Sequence, residues 1–155
     1  MAMLTISTPS WAGIPLTPAS IRMDIRRSGA KAVVERLFSS GRYDLVMSRM
    51  RSGSAAWVLL AKPLSIGTDA ASSEELQQAL TYALPKSPEA VLSILDASGS
   101  SVPRSPANVC SASFFEGDRT DIPAYRAEAA RAVRAVRVPT LQIAKAACLK
   151  ILTKK

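Results

Sequence analysis

The sequence contains no histidine, and this absence removes several classes of enzyme and metal site. Without imidazole the chain cannot form a Ser-His-Asp triad, a Cys-His nucleophile pair or a zinc site that requires histidine. Only two cysteines are present, so a zinc site built from the thiolates of one chain is excluded as well. The seven glycines are scattered near predicted helix ends and form no phosphate-binding loop.

Two kinds of histidine-free catalysis stay open on composition alone, namely a Ser/Lys dyad and a pair of carboxylates. The close acid pairs Glu74–Glu75 and Asp118–Asp121 are the natural candidates for the second kind. A position near a predicted helix start, where acids are favoured, explains both pairs without catalysis. We therefore predict a protein that is not an enzyme, with no cofactor and no metal.

Aromatic residues are also scarce, at 5% of the chain, and no alternation of apolar and polar residues persists. No apolar run approaches the roughly 20 residues of a membrane-spanning helix. Alanine and leucine, which favour helices, are abundant. These features predict an all-α fold: a single domain over residues 13–155, built as an irregular array of about seven or eight short helices without a repeat period.

A helix pair over residues 71–98 is the clearest organising element. Ser72 and Glu75 have the spacing of a capping box at a helix start. Pro85 ends this helix, and the Ser-Pro-Glu of residues 87–89 starts the next one. The apolar stripe of the first helix contains Leu76, Ala79, Leu80, Ala83 and Leu84.

Six further helices follow from caps, prolines and helical spacing, including a short one over residues 43–50 and a last one over residues 140 to about 152. Thr17-Pro18 begins the first, and Ser54 to about Lys62 forms a largely apolar one that is broken by Pro63. Asp121 caps a helix that runs to Val138. The strongest amphipathic pattern lies in residues 30–39, whose apolar face contains Ala30, Val33, Val34, Leu37 and Phe38. Between these elements, residues 99–121 are predicted to form a long irregular loop, pinned by Phe114, Phe115 or Cys110.

The net charge of +8 is unevenly distributed. Residues 13–66 carry nine bases and three acids, residues 67–98 one base and five acids, and residues 99–155 ten bases and four acids. This arrangement indicates either internal complementarity with solubility or a cationic surface for an acidic partner. On the helix after Asp121, the candidate anion-facing stripe consists of Arg126, Arg131, Arg134 and Arg137, for which a solvated polar face is the simpler explanation.

The first twelve residues are uncharged and end in Ser10-x-Ala12 before Gly13, which is typical of a signal-peptidase site. We expect residues 1–12 to be the remnant of a signal peptide and the protein to be periplasmic or secreted. A mobile or interface-packed N-terminus of a cytoplasmic protein is the alternative. In an exported protein an even cysteine count favours a disulfide, here between Cys110 and Cys148, whereas in the cytosol both would be buried thiols.

Several local patterns past Gly13 resemble a loosely defined group of small, exported, all-helical proteobacterial proteins of unassigned function. The resemblance implies export and a helical fold, and it implies no catalytic residues. Where that pattern has histidine-glycine-alanine, this chain has Ser28-Gly29-Ala30. The residues that carry it are Ile21-Arg22-Met23-Asp24, Ser28-Gly29-Ala30, Val33, Trp57, Gly67-Thr68-Asp69-Ala70, Ala79-Leu80, Pro88-Glu89-Ala90-Val91-Leu92, Val109-Cys110 and Cys148.

These observations predict a non-enzymatic exported protein that binds a partner protein, as an immunity or envelope accessory factor would. The alternative is a cationic binder of anionic ligands, either lipid headgroups or nucleic acid. Salt separates the two, because binding to phosphates weakens steeply as salt rises. A histidine-free hydrolase is a third class, and it requires an open cleft lined by acids or by a Ser/Lys pair.

Overall fold

The computed structural model describes residues 15–113 and 121–154, and these residues form helices without any strand. The all-α prediction is therefore confirmed. Seven helices have seven or more residues: α1 (Pro18–Ser28), α2 (Ala30–Ser39), α3 (Tyr43–Arg51), α6 (Ala70–Ala83), α7 (Pro88–Ile94), α9 (Ile122–Ala135) and α10 (Gln142–Leu152). Three more are single turns: α4 (Ala55–Val58), α5 (Ala61–Leu64) and α8 (Pro106–Val109). Two 3-10 turns, Val102–Arg104 and Pro139–Leu141, precede α8 and α10.

The helix α6 lies at the centre of the fold and packs against α3, α7 and α8. Its predicted apolar stripe is completely buried, and the buried apolar side chains of the described residues form one contiguous cluster. Tertiary burial of this stripe, more than intrinsic propensity, therefore stabilises α6.

The start of α6 differs from the prediction. Asp69 is the N-cap residue, because its carboxylate accepts a hydrogen bond of 3.0 Å from the Ser72 amide. The Ser72 hydroxyl in turn accepts from the Asp69 amide at 2.8 Å, which completes a capping box one turn earlier than the predicted Ser72–Glu75 box. Both spacings fit the capping pattern, but the earlier start adds a turn of helix and buries Ser72. Glu74 and Glu75 consequently lie beyond the first turn.

The prediction of one continuous helix from Ser54 to Lys62 is wrong. It is split into α4 and α5 at Leu59–Leu60, and Pro63 lies inside the first turn of α5 instead of ending a helix. A continuous helix would need an amide at residue 63 to bond the Leu59 carbonyl, and the proline ring would also clash with that carbonyl. The expected burial is largely correct, since Val58, Leu60 and Ala61 are buried.

The end of α9 also differs, because the helix ends at Ala135 and not at Val138. Pro139 prevents the predicted extension to Val138, since the residue before a proline is disfavoured in the helical region and Pro139 cannot donate to the Ala135 carbonyl. Val138 is extended, and so is Val136 at the end of the helix. The Lys145 ammonium bonds the exposed end of α9, at 2.8 Å from the Arg134 carbonyl and 2.7 Å from the Val136 carbonyl.

The segment predicted as an irregular loop at 99–121 contains the Val102–Arg104 turn and α8. Arg104 attaches it to the rest of the fold, with Nη1 donating to the Ile94 carbonyl at 2.6 Å and Nε to Ser65 Oγ at 2.9 Å. The predicted pins Phe114 and Phe115 lie outside the described residues. Within residues 99–113, side-chain hydrogen bonds satisfy several backbone groups, as where Asn108 Nδ2 donates to the Val102 carbonyl at 2.7 Å.

Two buried tyrosines donate hydrogen bonds to backbone carbonyls of α6. At one of these carbonyls the tyrosine takes the place of the helical amide, and at the other it is an additional donor. Tyr125 Oη donates to the Thr81 carbonyl at 2.7 Å, and Tyr43 Oη donates to the Ser72 carbonyl at 2.7 Å. The Thr81 carbonyl has no helical amide partner because residue 85 is proline, whereas the Ser72 carbonyl lies in the helix interior.

Tyr125→Phe is therefore expected to lower the free energy of unfolding by about 1–3 kcal/mol, because it leaves a buried carbonyl without a donor. Tyr43→Phe is the matched control, with an expected loss of about 0.5–1.5 kcal/mol. Urea unfolding followed by circular dichroism measures both values. Equal losses for the two variants would contradict the inference that Pro85 leaves the Thr81 carbonyl without a helical amide partner.

Candidate functional site

A groove between α9 and the end of α10 is cationic. We call it the α9–α10 groove, and it is an open depression of about 510 Å³. Among the described residues, three cationic side chains contribute to its lining and no acidic side chain does. Most of the remaining surface is apolar. The lining residues are Ile122, Pro123, Arg126, Ala127, Ala130, Arg134, Leu152, Thr153 and Lys154.

The alanine content of α9 leaves room for this groove. Ala127 and Ala130 are spaced three apart, so they lie on one side of the helix and their side chains end at Cβ. Leu152 supplies part of the opposite wall from the last turn of α10. A site with this composition can take an apolar side chain between the helices and an anionic group at the edge, where the cations lie.

Arg126 contributes to the fold as well as to the groove, which corrects its predicted place in an outward-facing stripe. Its side chain is half-buried, and Nη2 donates to the Ser111 carbonyl at 2.9 Å. Nη1 lies 3.5 Å from the carbonyl of Lys154. Arg126 therefore joins the segment after α8 to the end of the chain, and its charge is partly neutralised by these carbonyl groups.

The other three predicted arginines are exposed, and one of them lines the groove. Arg134 lines the α9–α10 groove, whereas Arg131 and Arg137 do not. Arg137 lies beyond the end of α9 and donates through Nη1 to the Arg134 carbonyl at 3.2 Å. The early end of α9 before Pro139 removes Arg137 from the helical spacing on which the stripe was predicted.

The structure places Cys110 and Cys148 at disulfide distance, with Cα atoms 5.4 Å apart, as the cysteine count predicted. Both cysteines are fully buried. The bond joins the end of α8 to the middle of α10 across a sequence separation of 38 residues. It therefore fixes α8 against α10.

Lys150 and Lys154 are surface cations that sequence reasoning missed. Both are exposed, and both line a second cleft beside α10. Their spacing of four residues, together with Ala147 on the same side of the helix, is the sequence signal that could have identified them. Placing α8 opposite that side required the tertiary structure.

Two acid pairs were candidates for catalysis, and three of their four residues are described by the structure. Glu74 is exposed, and Asp118 lies outside the described residues. Burial raises the pKa of Glu75, the Asp44 carboxylate adds to this effect, and Arg51 opposes it. Burial is also the main cause of the raised pKa of Tyr43. Of the described candidate acids, Glu74, Glu75 and Asp121 do not line the α9–α10 groove.

Two aspartates with lowered pKa values have structural explanations. Hydrogen bonds from the Ser72 hydroxyl and amide lower the pKa of Asp69 at the start of α6. The Ser98 and Ser100 hydroxyls, followed by a backbone amide, lower the pKa of Asp96 in the turn after α7. Among residues 15–113 and 121–154, no group of three metal-ligating side chains is present. No helix in those ranges has the length and apolar character needed to cross a membrane.

No family model, no curated protein and no solved structure matches this chain. The fold and the site define a basic, all-α protein with a buried cysteine pair and a cationic groove beside its last helix. Its function is therefore argued from the geometry of that groove.

Proposed function

We propose that this chain is a non-enzymatic exported protein, periplasmic or secreted, that binds a partner protein through the α9–α10 groove. An immunity factor or an envelope accessory factor would work in this way. The single observation that carries the proposal is the composition of the groove, which combines an apolar floor with Arg126, Arg134 and Lys154 and no acid. A partner segment with one apolar anchor and flanking acids is complementary to it.

Export is part of the same proposal and has separate support. The residues before Gly13 have the pattern of a signal-peptidase site. The Cys110–Cys148 pair fits an oxidising compartment, where structural disulfides persist. The resemblance of the sequence to small exported helical proteins is consistent with both features.

The alternative proposal is an anionic ligand, either a lipid headgroup or a nucleic acid, and the absence of acids in the groove favours it. Two observations favour protein instead. Most of the groove surface is apolar, and among the described residues no aromatic side chain lines it for stacking on bases. Arg131 and Arg137, which would extend a phosphate-binding surface, do not line the groove.

Photo-crosslinking in the producing cells tests the proposal. Benzoylphenylalanine at Ala127, which is exposed in the groove, should give an adduct of defined mass, and the adduct should contain a protein. The same group at Ala124, which is exposed on α9 but does not line the groove, is the matched control and should give none. Arg134→Glu should reduce the adduct about tenfold, because it introduces a like charge facing an acidic partner.

Arg131→Glu is the control for that substitution, since Arg131 is equally exposed and lies one turn away outside the groove. It should leave the adduct unchanged. Equal adducts at Ala127 and Ala124, or equal losses from the two arginine substitutions, would contradict the proposed surface. An adduct that contains lipid or nucleic acid would favour the alternative, and its yield should then fall steeply as salt rises.

A further inference from the structure

A second cleft lies on the other side of α10, between this helix and residues 97–107. We call it the α8–α10 cleft, and it is open to solvent with a volume of about 600 Å³. This volume is within the range of roughly 300–1,000 Å³ found for small-molecule sites. It shares only Lys154 with the α9–α10 groove. The lining residues are Ala97, Gly99, Ser105, Pro106, Ala107, Ala147, Lys150, Ile151 and Lys154.

The walls of the cleft are mainly apolar and are built from small side chains. Ala107 lies on the α8 side, and Ala147 and Ile151 lie on the α10 side, one turn apart. Larger residues at the alanine positions would fill the space. An apolar body can therefore enter between the helices and displace water from both walls.

The walls are also held in fixed positions. The Cys110–Cys148 pair joins the end of α8 to α10 next to Ala147. Two hydrogen bonds hold the wall formed by residues 97–107. The Asp96 amide donates to the Arg104 carbonyl at 2.8 Å, and the Asn108 amide donates to Ser105 Oγ at 3.2 Å. A preformed cleft binds a ligand without the entropic cost of ordering its own walls.

Two cations lie at the cleft. Lys150 and Lys154 are exposed and line it, and among the described residues no acidic side chain does. Both ammonium groups belong to exposed side chains, so a ligand can reach them. Lysine has a flexible apolar stem, so an ammonium can reach over the cleft while its methylene groups extend the apolar wall.

We infer that the α8–α10 cleft binds an amphiphilic monoanion, a medium-chain fatty carboxylate, with the chain between α8 and α10 and the carboxylate at Lys150 and Lys154. The apolar walls match the chain, and the two ammonium groups match the headgroup. This small-molecule site shares Lys154 with the proposed partner-binding groove, but its other lining residues differ and it does not depend on that groove.

Calorimetric titration of the full chain with decanoate, below its micelle concentration, tests the inference. Saturable binding of one decanoate per chain is expected. Decanol, which has the same chain without the charge, should bind at least about tenfold more weakly. Acetate, which has the headgroup alone, should not bind. Equal binding of decanol and decanoate, or no saturable binding of decanoate, would overturn the inference.

Two matched pairs of variants locate the site. Ala107→Trp should abolish decanoate binding by filling the cleft, whereas Ala146→Trp, at an exposed position on α10 outside the cleft, should leave it unchanged. Lys150→Gln should weaken it about tenfold, whereas Lys62→Gln, at an exposed lysine on α5, should have no effect. Circular dichroism verifies that each variant is folded.

Unchanged affinity in both Ala107→Trp and Lys150→Gln would place decanoate elsewhere and overturn the inference. Binding to vesicles of anionic phospholipid without binding to monomeric decanoate would likewise overturn it, in favour of a membrane surface. Arg134→Glu should leave decanoate affinity unchanged, because Arg134 does not line this cleft. Failure of the fatty-carboxylate site is thereby distinguishable from failure of the partner-binding groove.

Discussion

Replacing Cys110 and Cys148 together by alanine should lower the free energy of unfolding by about 3–4 kcal/mol. The bond closes a loop across a sequence separation of 38 residues, so its loss restores conformational freedom to the unfolded chain. Both cysteines are completely buried, which protects the bond from solvent reductant in the folded protein. Urea unfolding of the wild-type and double-variant proteins, followed by circular dichroism, measures the difference.

The wild-type protein unfolded with and without reductant is the matched comparison, because it keeps every side chain and removes only the bond. The two comparisons should agree, and either single variant, Cys110→Ala or Cys148→Ala, should behave like the double variant. A loss below about 1 kcal/mol in all of these experiments would contradict a stabilising disulfide. Two free thiols in protein isolated from an oxidising compartment would contradict the pairing and weaken the proposal of export.

Leu37→Ala is the second substitution for which we expect a large effect. It should lower the free energy of unfolding by about 2–5 kcal/mol. Leu37 lies on α2 with 4% of its surface exposed, so truncation leaves a cavity in the core. Phe38→Ala is the matched control one residue further along. Its ring is 40% exposed and stacks on Tyr43 with ring centroids 4.2 Å apart.

The control should cost less than Leu37→Ala even though it removes more atoms. The stacked ring pair accounts for about 0.5–1.5 kcal/mol, and the exposed part of the ring leaves no cavity. The same urea titration measures both variants. A larger loss for Phe38→Ala would mean that α2 packs with a different side toward the core.

The helical spacing that predicted Phe38 on the buried face was correct for Val33, Val34 and Leu37. Phe38 lies at the edge of that face, where spacing alone does not separate a core residue from a partly covered one. How much of Phe38 is covered depends on Tyr43, which belongs to the next helix and provides the surface on which Phe38 stacks.

Helix starts and ends followed from local chemistry at several positions. Thr17 caps α1, with Pro18 in its first turn, and Gly29 ends it with a positive φ of 83°. Local chemistry was insufficient where two nearby caps competed, as at Asp69 and Ser72 at the start of α6. The burial of Ser72 beneath α3, whose Tyr43 bonds its carbonyl, is a tertiary effect that no local spacing contains.

At the candidate sites, too, the sequence determined some properties and the tertiary structure determined others. The sequence by itself determined the all-α class, the absence of histidine chemistry, the excess of cations and the available cysteine pair, because composition and local spacing decide these properties. Only the tertiary structure decided that Arg126 bonds the Ser111 carbonyl, that Arg134 borders a groove, and that Lys150 faces a cleft. These roles depend on which distant backbone segment lies opposite each side chain, and that arrangement is fixed only when the helices pack together.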